Sequence, residues 1–585
     1  MVGFDSEVLS ATQRMINLQP YSRIAWALWA AMGALVWLLP TRTPPWATFY
    51  SEALMAACIL LVAGALVLFR DAKVKRAAYT VDFAVLLLLA IALIPIAQST
   101  AGLYVYAGEA HLQSLYLIGF AMTFLVARNT SGPRLCSLMG FLLAGLAGAA
   151  LVSALLAVYQ WLGQDFLGWL VSPVKTLGRA EANVGQPNNL ATLLCWGLVA
   201  LWWGAQTRKV SGYLAFAGAA ILLLGLALTE SRTGLLILAL FPVVLFFGRS
   251  HFSARLWPVM GALLIWFLLC ELVQAHLTEW TNAAPSRALN SQLSVGIRPQ
   301  IWQLALDAIA EKPWFGYGWN QFLVARVDLA SNHPQHTVIS SYAHNLVLDI
   351  FVWAGVAVGV VLTISVLVWL GRRVRAAADS QQWLLILGLG VILIHASLEL
   401  PHAYIYFLLP TALIAGALTA LQPSRVLVEV PGVLVGFIIL ALGSVWAVLV
   451  YDYQEIEKRA QTARILDAGI HAKEGSNSQR QLLLLQFVAD IDGQLRQQPV
   501  REIGLVDLRR WRDTLRRYPV ASSLARYAQA SILNGHRAEA LWGLQTLCNL
   551  YPKALCEAAG REWIDFQTAH ALFPITQPPV SPRSF

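Results

Sequence analysis

The stretch SSYAHNLVLDIFVWAGVAVG, residues 340 to 359, passes within a few residues from hydroxyls, an imidazole and an amide into an apolar run that continues to about residue 370. A helix needs roughly 20 apolar residues to cross a hydrocarbon core about 30 Å thick. The stretch therefore reads as the edge of a membrane crossing, with His344 and Asn345 where water gives way to lipid. Segments of the same kind recur through the first 450 residues. They lie near 22 to 40, 53 to 69, 80 to 99, 114 to 127, 136 to 162, 190 to 206, 212 to 228, 235 to 248, 256 to 275, 346 to 370, 383 to 399, 404 to 421 and 427 to 450. Of the 585 residues 58% are hydrophobic and 12% charged, against about 25% charged in a soluble domain. The sequence predicts an all-α, polytopic transmembrane bundle of about thirteen crossings.

Positive charges near a crossing resist translocation, so short basic connections mark the cytoplasmic side. Alternate connections carry Arg14 and Arg23, then Lys73, Lys75 and Arg76, then Arg128 and Arg134, then Arg208 and Lys209, then Arg249 and Arg255, then Arg372, Arg373 and Arg375, and finally Arg425. With thirteen crossings this places the start of the chain inside and its end outside. The net charge of +9 then records topology, and no nucleic-acid partner is expected. No small-residue cleavage site follows the first apolar segment, which meets TRTPPW, so that segment is expected to be a retained helix.

Two regions are expected: a transmembrane part, residues 1 to 450, with a large exported loop at about 276 to 345, and a soluble helical part, residues 451 to 585. The second carries charges of both signs and alternates like paired helices in LARYAQASILNGHRAEALWGLQTLCNLYP, a spacing that loosely matches a tetratricopeptide unit. Cys58, Cys136, Cys195 and Cys270 sit in apolar segments as packing residues, whereas Cys548 and Cys556 lie where an oxidising compartment permits a disulfide.

Unusual polar residues gather on the loops opposite the basic turns. In GRAEANVGQPNNLATLL, residues 178 to 194, Gln186, Asn188 and Asn189 offer amides beside a membrane face, more than helix capping alone requires. In LALTESRTGLLIL, residues 226 to 238, Arg232 sits close to hydrocarbon, paired with Glu230 or serving a ligand. In the long loop, Arg298 precedes an amphipathic helix with Ile301, Leu304, Ala305, Ala308 and Ile309 on one side, expected to lie at the membrane interface, followed by the turn GYGWNQF. Guanidinium forks suit a diphosphate, and an imidazole takes a proton near neutral pH. Asp349 falls one helical turn after Asn345, and ELPHAYIYF, residues 399 to 407, adds Glu399, His402, Tyr404 and Tyr406 on the same exported side. A metal centre on His333, His336 and His344 lacks the tight spacing and further ligands such sites use, so no metal and no cofactor are expected.

The order NVGQPNNLA, TESRTG, an Arg before a Trp-containing helix, PWFGYGW, HNLVLD and ELPHAYIYFLLP resembles the bacterial protein O-oligosaccharyltransferases of the pilin-glycosylating type, within the O-antigen ligase and polymerase superfamily. The resemblance implies an inner-membrane enzyme with a periplasmic C-terminal domain. It implies inverting transfer of a glycan from undecaprenyl diphosphate to a Ser or Thr hydroxyl of an exported, pilin-like protein. Arg232, Arg298 and His344 would then be catalytic, the histidine as base, with Gln186, Asn188, Asn345, Glu399 and Tyr404 binding substrate. Three alternatives stay open: an O-antigen ligase acting on a lipid A core sugar, a polymerase, and a transporter of the lipid-linked sugar.

Overall fold

A computed structural model of the chain describes residues 20–40, 44–69, 78–174, 178–277, 296–333, 339–467 and 480–570. Arg14, Lys73, Lys75, Arg76, His336 and most of the loop before Arg298 lie outside the described residues.

All thirteen apolar segments overlap helices. In chain order these are α1 (Pro20–Leu38), α2 (Phe49–Leu68), α3 (Phe83–Thr100), α4 (Ala107–Arg128), α5 (Gly132–Trp161), α6 (Pro187–Gln206), α7 (Gly212–Leu228), α8 (Arg232–Phe247) and α9 (Leu256–Leu277). After α10 (Arg298–Glu311) and the short α11 (Phe322–Asp328) follow α12 (Leu346–Arg375), α13 (Ser380–Ala396), α14 (Ile405–Ala420) and α15 (Gly432–Asp467). Seven of the described helices are long and apolar enough to cross a membrane, and five more are apolar but shorter. The chain is a nearly all-α, multi-pass membrane protein. The sequence reading did not anticipate one short sheet, in which β1 (Tyr79–Val81) pairs antiparallel with β2 (Val428–Val430), Thr80 opposite Glu429.

The chain forms two compact units. The first comprises Met1–Leu89, Leu117–Ser294 and Leu367–Val450. Its hydrophobic core places Trp37 edge-on to Trp196, Tyr406 and Phe407 at ring distances of 6.3, 5.0 and 5.0 Å. Small residues let helices approach, as in other membrane bundles: a Cβ on Gly145 would lie 2.7 Å from the Ala30 carbonyl oxygen, and one on Gly225 2.8 Å from the Ala154 Cβ. At one end three basic connections meet. Arg128 pairs with Asp82 at 2.8 Å and donates to Ser424 Oγ, while Arg373 donates to Gln422, which in turn donates to Gln382. Cys58, Cys195 and Cys270 are buried as expected, but Cys136 is exposed on α5.

The second unit comprises Ala90–Tyr116, Val295–Val366 and Tyr451–Phe585. After α16 (Gln486–Arg496) come α17 (Leu505–Arg517), α18 (Ala521–Leu533), α19 (Arg537–Leu550) and α20 (Lys553–Ala569) around Trp511, Leu515, Leu524 and Tyr527. A Cys548–Cys556 disulfide joins the last turn of α19 to the first of α20, with Cα atoms 4.7 Å apart. These helices do not hang free. Arg517 pairs with Glu109 at 3.0 Å, Arg516 with Asp328 at 2.6 Å, and the Tyr106 hydroxyl meets Thr514 Oγ1 at 2.8 Å. On the amphipathic α10, Ile301, Leu304, Ala305 and Ala308 are buried in protein, and the helix packs beside α11.

Candidate functional site

The chemistry-bearing residues form two clusters, one in each unit. In the first unit the hub is Asn188. Its Nδ2 donates to Glu399 Oε1 at 2.9 Å, and its Oδ1 accepts from Ser231 Oγ at 2.7 Å and from Arg179 at 3.2 Å. One buried amide therefore ties the loops before α6, before α8 and after α13. Sequence explains each piece locally. Gln186 caps α6 by accepting from the Asn189 N–H at 2.8 Å, with Pro187 at the first helical position, where its missing N–H costs nothing. Ser231 caps α8 by accepting from the Gly234 N–H at 3.1 Å. Gly234 fits closely there, since a Cβ would lie 2.8 Å from Leu226 Cδ1 and 3.0 Å from Ala191 Cβ. Arg232, half-buried, is thus the first residue of α8, at the end of a helix whose dipole and N–H groups favour anions.

Beneath the hub a second rung joins the same two helices: Thr192, one turn after Asn188, meets the fully buried His395, one turn before Glu399, at 2.8 Å. Glu230, in the left-handed region at φ +45°, accepts from Gln274 at 3.1 Å. Half-buried Tyr404 stacks on Tyr406 with ring centroids 5.1 Å apart and begins α14.

In the second unit the focus is His344, a half-buried residue at φ +55° immediately before α12. A non-glycine residue in this region is uncommon and persists where its surroundings over-determine it. Here the preceding residue is gripped from both sides: the Ala343 N–H donates to Asp349 Oδ1 at 2.7 Å, and the Ala343 carbonyl accepts from Trp302 Nε1 at 3.0 Å. Asn345 caps α12, its Oδ1 accepting from the Val347 and Leu348 N–H groups at 3.0 and 3.2 Å. Trp302 lies one turn after Arg298 on α10 and bonds the residue before His344. Elsewhere in this unit His333 sits 2.9 Å from Asp307, and burial pushes the Arg326 guanidinium down to about 10, leaving it cationic near neutral pH.

The structure bonds Asn188 to Glu399 and to Ser231, the residue before Arg232, with Gln186 two positions before Asn188; in the other unit Asp349 bonds the residue before His344, and Asn345 follows it. Gln186 caps α6 through its side-chain oxygen. Sequence reasoning missed Arg179, which also donates from Nε to the Thr229 carbonyl at 2.9 Å; as one cation in a turn it carried no mark, yet it lies in the same GRAEANVGQPNN segment. It also missed Trp302 and Ser231, whose roles are set by fold and not by local pattern.

Three family descriptions match this chain: O-antigen ligase over residues 217–363, which includes Arg232, Arg298 and His344; virulence factor membrane-bound polymerase, C-terminal, over 383–562; and protein glycosylation ligase over 181–203, which includes Gln186 and Asn188. A general O-oligosaccharyltransferase of Acinetobacter baylyi is 31% identical over 551 residues, 90% of this chain and 92% of that protein. A ComP-specific O-oligosaccharyltransferase of the same organism is 26% identical over 41% of this chain and 44% of its own length. An O-antigen ligase of Pseudomonas aeruginosa is 28% identical over 35% and 55%.

Proposed function

We propose how the chain acts from the premise that it belongs to the O-oligosaccharyltransferases of the O-antigen ligase superfamily, glycosyltransferases that transfer glycans to proteins. The donor is an oligosaccharide on undecaprenyl diphosphate, and the acceptor is a Ser or Thr hydroxyl of an exported, pilin-like protein. The setting is the bacterial inner membrane, crossed about thirteen times, with residues 451–585 periplasmic and built of tetratricopeptide-like helix pairs.

In the proposed step the acceptor oxygen attacks the anomeric carbon from the face opposite the diphosphate. The carbon–oxygen bond to phosphate breaks, its electron pair leaves with the diphosphate, and the hydroxyl proton passes to His344. Arg232 and Arg298 meet the charge that develops on the phosphates, aided by the N-terminus of α8. Fixed cations of this kind cost no reorganisation at the moment of reaction. Glu399 and Tyr404 contact the donor or acceptor beside Asn188, and Asn345 holds the helix start that follows the base.

The observation that carries this reading is His344 itself, a titratable ring in a left-handed backbone conformation, braced through Ala343 by Asp349 and Trp302. The test is intact-mass analysis of a co-expressed pilin: His344→Ala should lower glycan transfer by about 10² to 10⁴ at unchanged expression, the usual contribution of a general base. Near-normal glycosylation would end the assignment. The match of residues 217–363 to O-antigen ligases keeps one rival, transfer to a lipid A core sugar. Unmodified pilin with shortened lipopolysaccharide in a deletion strain would favour it.

A further inference from the structure

Helix α12 is broken at Gly355, where φ is +80° and ψ 174°, and the break frees backbone groups on both sides. The segment Pro313–Gly318 takes them up. The Val356 N–H donates to the Pro313 carbonyl at 2.7 Å, and the Tyr317 and Gly318 N–H groups donate to the Val352 and Trp353 carbonyls at 2.8 and 3.1 Å. Gln98 completes the brace, its Nε2 donating to the Trp353 and Phe315 carbonyls at 2.8 and 3.2 Å while its Oε1 accepts from the Trp319 N–H at 2.7 Å. The fit is close: a Cβ on Gly355 would lie 2.3 Å from the Trp314 carbonyl oxygen, and one on Gly316 2.5 Å from that of Val352.

Main-chain bonds therefore fix this loop's height along α12. Beyond the break, residues 356–375 run about 30 Å at about 1.5 Å per residue, the thickness of the hydrocarbon core. Arg372, Arg373 and Arg375 end the helix on one side. About twenty residues counted back from Arg372 bring the opposite boundary of the core to the neighbourhood of Val352, where the loop is bonded. The loop is sorted at this height: Tyr317 and Trp319 point inward and are buried, whereas Trp314 and Phe315 are 73% and 77% exposed. Exposed Val360, Val361 and Ile364 continue the apolar surface along the same helix.

We propose that the loop 313–316 is a lipid-inserting wedge, with Trp314 and Phe315 seated among the acyl chains of bulk phospholipid in the leaflet away from Arg372–Arg375. Aromatic residues favour that boundary, and loop backbone is tolerated there because α12 and Gln98 satisfy it. The wedge sets the depth at which the start of α12, and with it His344, rides above the hydrocarbon. It requires a multi-pass membrane protein and nothing of the transfer chemistry.

The test uses the full chain carrying Cys136→Ser, with Phe315→Cys labelled by an environment-sensitive nitrobenzoxadiazole fluorophore and the protein reconstituted in phosphatidylcholine and phosphatidylglycerol vesicles. Val506→Cys, on α17 and 78% exposed, supplies the aqueous reference, and Trp314→Cys replaces Phe315→Cys if that variant is not monodisperse. The expected result is blue-shifted emission, several-fold stronger quenching by a shallow doxyl-labelled phosphatidylcholine than at Val506→Cys, and protection from iodide. Iodide quenching equal to the reference, with no response to doxyl lipid, overturns the proposal. Doxyl quenching that appears only after a polyprenyl-diphosphate lipid is added also overturns it and assigns the aromatic tip to the donor's tail.

Discussion

At the scale of single residues, the contacts around Ala343 and Asn188 separate groups that position from groups that react. Asp349 is fully buried, and its Oδ1 takes the Ala343 N–H. An amide keeps that acceptor, so Asp349→Asn should retain most glycan transfer whereas Asp349→Leu loses it, read as the glycosylated fraction of acceptor by intact mass. Asn188→Leu takes one hydrogen-bond partner from Glu399 and one from Ser231, both buried. Each buried polar group left unsatisfied costs about 1–3 kcal/mol, and the measurable outcome is a lower unfolding temperature in detergent together with lost transfer. Sequence reading reached Asn188 and His344 because an amide or an imidazole is conspicuous beside an apolar run. It could not reach Arg179 or Trp302, since a turn arginine and a helix tryptophan look like any others until the fold shows that they bond Asn188 and Ala343.

At the scale of elements, the apolar helices were legible because a hydrocarbon solvent forces long apolar runs, and those runs need no partner to be recognised. The interruption of α12 was not. A Gly in WAGVAVG reads as one small residue among many, and only the approach of the Trp314 carbonyl makes it necessary. Gly355→Ala should therefore be strongly destabilising, through both the clash and the positive φ. Gly371→Ala on the same helix, with nothing within 4 Å of the added Cβ, should be neutral or stabilising by up to about 1 kcal/mol. Thermal unfolding followed by size-exclusion fluorescence distinguishes them, and equal losses would remove the brace from the argument. The apolar stripe of α10 was legible too, since periodicity picked out Ile301, Leu304, Ala305 and Ala308 as the buried face, whereas the short α11 that packs beside it was not recognised as a helix.

At the scale of the whole molecule, residues 451–585 looked in sequence like a separate helical appendage, because the composition changes abruptly. In the structure their helices are bonded to segments from the first half of the chain. Arg517 and Glu109 form a buried pair, and removing one partner of such a pair typically costs about 3–5 kcal/mol. Arg517→Ala should lower the unfolding temperature far more than Arg496→Ala, whose partner Asp492 is solvent-exposed; equal effects would contradict the buried geometry. Cys548→Ser with Cys556→Ser removes a cross-link that closes a short loop, for which chain-entropy estimates give about 2–3 kcal/mol. The expected readout is loss of the redox dependence of unfolding, seen by comparing scans with and without reductant.

The carboxamide of Gln98 meets the Trp353 carbonyl across 255 positions of sequence. Translation at about 5–20 residues per second puts roughly 13–50 s between the emergence of one partner and the other. During that interval the nascent chain holds an unanswered amide at the bilayer rim, so an insertion factor that shelters half-built spans has a defined client state here. Ribosome-arrested chains that stop short of Trp353 should be the ones it retains.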